Sequence, residues 1–270
     1  MIAIVAALEE ELAPLRKRLR ASLRDGEAGS RLCRAELGGK TILLARTGLG
    51  PARARAAAAS LVEQHDLEAI VSIGFAGAVS GSLHKGDLLI ASRVHAPPEE
   101  PESEPPATLD GLDCDAGLVD LAVETAQQSE LPFQVGYSLT VPDAASDRRT
   151  KERIGRRWPV AVVEMESYWI ARAAAVQGIP FLTVRAVSDA LGDALPDLGG
   201  LIDADGSTHA LRLPAVVLRR PFLAPVIVRL AVAARLASRN LATFTEAFVL
   251  AFPSRPGADH DRDRLSARSG

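Results

Sequence analysis

The strongest constraint on this chain is an alternation of short apolar runs, rich in β-branched residues, with stretches of helical character. Residues 2–7 (IAIVAA), 41–45 (TILLA), 68–73 (EAIVSI), 160–163 (VAVV) and 180–187 (PFLTVRAV) read as strands covered on both faces. Residues 32–37, 87–91 and 135–141 read as further strands. Between them lie helical segments: EEELAPLRKRLR from Glu9, ARARAAAASLVEQ from Ala52, Gly117 to Ser129, and EMESYWIARAAAVQG with Gly178 as its stop. Strand and helix in alternation predict an α/β chain with a mostly parallel or mixed sheet and helices on both faces.

Length and composition narrow the reading. With 270 residues, 47% of them hydrophobic, the chain is long enough to bury a large core. The expected division is an α/β domain over 1–200, a helical extension packed on it over 201–252, and a polar, frayed tail over 253–270. A formal net charge of -3 gives no basic excess for nucleic acid or an anionic membrane. Cys33 and Cys114 are too few for a disulfide framework or a cysteine-based zinc site, and suit a reducing cytosol. The five histidines, scattered at 65, 84, 95, 209 and 260, show no metal-ligand spacing and read mostly as surface residues. Residues 97–106 (PPEEPESEPP) read as a solvated acidic loop. The opening MIAIVAALEEEL reads as a strand turning into a helix, not as a secretory signal. Pro-punctuated helices are expected from about Leu213 to Phe252. The part from Val226 carries Arg229, Arg235, Arg239 and Glu246, so a surface or subunit-packing helix is expected there, with peripheral membrane contact left open.

In such folds ligands gather at the carboxyl ends of strands. That rule selects Glu9 to Glu11, Thr47 to Gly50, Gly74 to Gly77, and Ser188-Asp189 preceded by Arg185. A carboxyl group at a strand end can act as a general acid, although Asp189 could equally cap a turn. Glu164-Met165-Glu166 stands at the expected start of a helix, where the dipole alone favours carboxylates. Glu166 there could also accept hydrogen bonds from sugar hydroxyls and stabilise a developing positive charge. One of the three glutamates at 9–11 could deprotonate a water. The glycine segments TGLG and GFAG read as tight turns that let backbone N–H groups approach a small ligand. Ser80, Ser82 and Ser188 lack a nucleophile elbow, and Trp158 and Trp169 read as packing residues.

Taken in order, four segments resemble the nucleoside phosphorylase superfamily, and most closely its methylthioadenosine/S-adenosylhomocysteine nucleosidase branch. They are IAIVAALEEELAPL, TGLGPARARAAAASL, IVSIGFAGAVSGSLHKGDLLIAS and VVEMESYWIARAAAVQGIPFLTVRAVSD, spanning about residues 1–190. The resemblance implies a three-layer α/β/α sandwich with a central mixed sheet, no metal, no organic cofactor and a homodimer. By position it implies Asp189 as general acid at the purine N7, with Ser188 beside it, and Glu11 as the base that activates water, helped by Arg185. Glu166 and Met165, with Glu164 next to them, would bind the ribose. Gly74, Phe75, Ala76 and Gly77, with Thr47, Gly48 and Gly50, would line the sugar and nucleophile site. Two positions depart from the family pattern: Phe75 stands where the family often has Ser, and Ala145 where an aromatic usually stacks on adenine.

The expected function is therefore hydrolysis of the N-ribosidic bond of a 5′-substituted adenosine in the cytoplasm, with phosphate as the alternative nucleophile. The stretch GLIDADGSTHALRLPAVVLRRPFLAPVIVRL resembles a hopanoid-associated branch, which implies adenosylhopane as an alternative substrate. A nucleoside-binding protein that has lost its chemistry is the third reading.

Overall fold

The computed structural model describes residues 1–22, 24–96, 109–195 and 224–253. The acidic segment at 97–106, the stretch 201–223 and the tail from 254 lie outside them. In chain order the strands are β1 (Ile2–Ala6), β2 (Arg24–Asp25), β3 (Arg31–Leu37), β4 (Lys40–Arg46), β5 (Ala69–Ala78), β6 (Leu88–Ala96), β7 (Asp110–Asp113), β8 (Phe133–Thr140), β9 (Val162–Glu164) and β10 (Phe181–Asp189). The helices are α1 (Glu9–Arg18), α2 (Pro51–Gln64), α3 (Ala116–Gln128), α4 (Arg148–Arg157), α5 (Ser167–Val176) and α6 (Ala224–Ala251).

Successive side chains of a strand point to opposite faces, and here both faces are buried. Ile2 and Ile4 of β1 join Leu12 and Leu15 of α1, Leu118 of α3 and Phe244 and Phe248 of α6 in one core. Ala3 and Val5 join Ala54 and Leu61 of α2 and Ile170 and Ala174 of α5 in the other. The result is a three-layer α/β/α arrangement. The sheet is mixed: β1 pairs in parallel with β4 and β5, β10 in parallel with β5 and antiparallel with β6, and β9 antiparallel with β5. Because β6 pairs with β8, and β8 with β9, strands β5, β10, β6, β8 and β9 close into a ring.

The long strand β5 joins the open sheet to this ring. Residues 69–72 pair with β1, whereas 77–78 pair with β9. On that edge residues 73–76, between them, have no strand neighbour among the described residues, and the sheet opens there into a crevice.

Several expectations are corrected. Gly74 to Gly77 is not a turn but the second half of β5. Glu164 ends β9 and Glu166 is the N-cap of α5, so the three residues precede the helix instead of forming its first turn. The C-terminal apolar text from residue 224 is one 28-residue helix, with Pro225 tolerated in its first turn. His95 is buried, its ring 5.6 Å from that of Tyr137. Strand β7 and helix α4 were not anticipated. The α4 text, RRTKERIGRR, shows no apolar stripe; Asp147 starts the helix by accepting the Thr150 N–H at 2.9 Å. Among the described residues no helix is long and apolar enough to cross a membrane.

Candidate active site

The crevice beside β5 is a partly open cavity of about 130 Å³. Glu11, Phe75, Ala76, Gly77, Glu164, Met165, Glu166, Ser188 and Asp189 line it, together with Leu49, Val141, Ala144, Ala145 and Leu195. Three carboxylates far apart in the chain, at 11, 166 and 189, thus border one hollow, and all three are buried.

Glu11 is delivered by the first turn of α1. Its Oε2 reaches back to accept the N–H groups of Ala7 (2.9 Å) and Leu8 (2.8 Å), donors that a helix start leaves unpaired. Its Oε1 accepts the Phe75 N–H at 2.7 Å, on the stretch of β5 that lacks a strand neighbour. Burial pushes the Glu11 carboxyl above the ordinary glutamate range; Arg185 and the three N–H groups offset part of that.

Glu166 accepts the Gly50 N–H at 2.8 Å, so the loop after β4 is tied to the start of α5. Gly50 takes φ 89° and Gly48 φ 83°, left-handed values that favour glycine. Burial, reinforced by the neighbouring Glu164 charge, raises the Glu166 carboxyl to about 8.

Glu164 differs from its neighbours in role. Its Oε2 accepts from the Glu166 N–H (3.1 Å), the Ser167 N–H (2.8 Å), the Ser167 hydroxyl (2.8 Å) and the Arg185 guanidinium (2.7 Å), and its Oε1 accepts from Thr140. Little capacity is left for a ligand. Arg185 does not line the crevice. It is buried beneath it, donating also to Ser72 (3.1 Å) and Ser167 (2.7 Å). Its influence on Glu11 is through charge. Gly74 explains how the three fit: a Cβ there would overlap Arg185 Nη1 and lie 2.9 Å from Glu11 Oε1. Thr47 is likewise buried, its hydroxyl donating to the Gly48 carbonyl at 3.0 Å.

Asp189 ends β10. Its Oδ1 accepts the Ser188 hydroxyl at 2.7 Å, and its Oδ2 accepts from Lys151 of α4, which is fully buried. Sequence reasoning missed Lys151. It sits in an arginine-rich helix, and the one available signal was its sharing a face with Ile154 and Gly155, spaced i+3 and i+4.

A family model described as "Phosphorylase superfamily" matches residues 1–219. A curated 5′-methylthioadenosine/S-adenosylhomocysteine nucleosidase from Halalkalibacterium halodurans is 28% identical over 204 residues, covering 71% of this chain and 86% of that protein. Among solved structures, the 5′-methylthioadenosine/S-adenosylhomocysteine nucleosidase of Neisseria meningitidis, in complex with methylthio-immucillin-A, superposes with a TM-score of 0.72 at 20% identity, covering 93% of this chain and 99% of that one. Futalosine hydrolase of Helicobacter pylori superposes at 0.71 and 17% identity, covering 92% and 96%. With most of its length matched, its three-layer fold shared and its acidic crevice in place, the chain belongs to the phosphorylase superfamily of enzymes.

Proposed function

We propose that the chain cleaves the N-ribosidic bond of a purine nucleoside by hydrolysis, acting on a 5′-substituted adenosine of the methylthioadenosine or adenosylhomocysteine type and releasing adenine. The observation that carries this reading is the convergence of Glu11, Glu166 and Asp189 on one crevice. Asp189 protonates N7 so that the purine leaves as a neutral molecule. Glu166 accepts the ribose hydroxyls, and its charge stabilises the oxocarbenium-like transition state. Glu11, fixed by three backbone N–H groups, takes a proton from the attacking water. Gly74, beside Glu11, and Gly77, beside Asp189, lie three residues apart on β5, a span of roughly 10 Å.

Water is favoured over phosphate because among the described residues no arginine or lysine lines the crevice. Of the nearby cations, Arg46 pairs with Glu9 at 3.8 Å and Arg55 lies over the Trp169 ring. A second reading is removal of adenine from a nucleoside whose 5′ substituent is a large lipid, as in adenosylhopane. Phe75, Leu49, Val141 and Leu195 favour it, since they make much of the crevice wall apolar.

The test is release of free base from methylthioadenosine, adenosylhomocysteine, futalosine, adenosine and a 5′-lipidated analogue, with and without phosphate. Turnover independent of phosphate is expected. Glu11→Gln and Asp189→Asn should each lower it about 100-fold or more. No base released from any of these substrates, in either buffer, would refute the proposal.

A further inference from the structure

Lys151 has a role that the three carboxylates do not account for. Helix α4 turns its arginines outward, brings Lys151 beside Gly77 of β5 and brings Gly155 against Val79 just beyond that strand. A Cβ at Gly155 would lie 2.5 Å from the Val79 carbonyl oxygen, so only glycine lets the helix come this close. At Gly77 a Cβ would lie 2.9 Å from Asp189 Oδ2 and 3.5 Å from Lys151 Cε. Glycines on both partners therefore make room for one buried ammonium beside one buried carboxylate.

An ammonium carries three protons, and each has an acceptor here: Asp189 Oδ2, the Ala190 carbonyl at 3.0 Å and the Asp193 carbonyl at 3.2 Å. Removing such an ion from water is costly, and the cost is offset only where every proton is satisfied. The remaining charged groups nearby are already matched. The Asp193 carboxylate pairs with Lys85 at 2.9 Å and accepts the Ala190 N–H, and Asp147 on the same helix caps Thr150. The carboxyls of Glu11, Glu164 and Glu166 bond to the Arg185 and backbone groups described above, and none is bonded to Lys151.

We propose that Lys151 is the positioning residue for Asp189 and the store of the proton that the departing purine takes; this rests on Asp189 being the general acid. At rest the proton sits on Lys151 Nζ and Asp189 is a carboxylate. As the C1′–N9 bond breaks and its electron pair passes into the purine, Nζ passes its proton to Asp189, which as the neutral acid gives it to N7. Lys151 is left as a neutral amine, and Glu11 holds the proton taken from water. Exchange with solvent then returns Glu11 to the carboxylate and Lys151 to the ammonium, which closes the cycle.

The test is the pH profile of turnover for the wild type, Lys151→Met and Asp189→Asn. Lys151→Met should move the alkaline limb to lower pH, with turnover down about 100-fold in mildly alkaline buffer and much less in mildly acidic buffer, where solvent supplies the proton. An unchanged alkaline limb in Lys151→Met, with Asp189→Asn inactive, overturns the role of Lys151 alone. Full turnover in Asp189→Asn overturns the reading of Asp189 itself. Should Lys151→Met not fold, the wild type decides the matter: warming should shift the alkaline limb to lower pH, as for an amine, and a limb indifferent to temperature, as for a carboxyl, overturns the proposal.

Discussion

Replacing Gly74 by Ala adds one methyl group where the site has no space for it. Gly74 is not in the left-handed region, so the backbone tolerates any residue and only the side chain matters. The new Cβ would overlap Arg185 Nη1 and come within 2.9 Å of Glu11 Oε1 and 3.2 Å of its Cδ. Neither group can swing into solvent, since Arg185 is 1% and Glu11 3% exposed. Overfilling a packed core costs about 1–3 kcal/mol. Relief would require Arg185 to abandon Glu164, and breaking a buried ion pair costs about 3–5 kcal/mol. These are alternative outcomes of one clash, so the larger figure bounds the effect. A loss of about 4 kcal/mol corresponds to a fall in Tm of roughly 10 °C for a domain of this size. Displacing Glu11 by even part of an ångström should also reduce turnover, on the order of 100-fold. The assay is thermal denaturation alongside base release, with Gly81→Ala as control, because no atom of the described residues lies within 4 Å of a Cβ there. If Gly74→Ala melts and turns over like Gly81→Ala, the reasoning about this layer of the site is wrong.

Other expectations can be measured independently. Between an ordinary glutamate value of 4.5 and about 8, Glu166 is protonated in the folded chain and ionised in the unfolded one. The folded state therefore binds more protons, and stability should fall as pH rises through that interval, by at most about 1.4 kcal/mol per pH unit. Denaturant titrations across this range should show the slope in the wild type and lose it in Glu166→Gln. Over the same interval, affinity for a nucleoside analogue should rise with pH, since the hydroxyls need the ionised form; calorimetry in buffers of different ionisation enthalpy would register the released proton. Turnover should climb on the acidic side at pH values above the ordinary glutamate range, because Glu11 must be ionised to act as base and burial raises its carboxyl. Phe248, fully buried and stacked on Phe244 at 5.6 Å, ties α6 to the core; Phe248→Ala should cost about 3–5 kcal/mol in chemical denaturation without removing any group from the crevice.

Much of this molecule is written locally in its residues. Apolar runs such as IAIVAA and EAIVSI become β1 and β5 because buried strands need both faces apolar, and the period-two split of Ile2/Ile4 from Ala3/Val5 follows from the pleat. Glu9 to Glu11, Glu166 and Asp189 could be picked out as candidates because strand ends and helix starts are where an α/β sheet presents side chains to ligands, and the family resemblance narrowed the first three to Glu11. What no local rule contains is which groups meet. The crevice exists because β5 changes partner from β1 to β9, a long-range pairing invisible in the run IVSIGFAGA. Arg185 turns inward to Glu164, and Lys151 inward to Asp189, because burying an ion is tolerable only where an opposite charge waits, and that charge lies 21 residues away in one case and 38 in the other. Glycines at 74, 77 and 155 look like turn or helix-weakening residues in the text. Packing alone makes Gly74 and Gly77 the gaps into which those charges fit, and Gly155 the point where α4 meets the Val79 carbonyl.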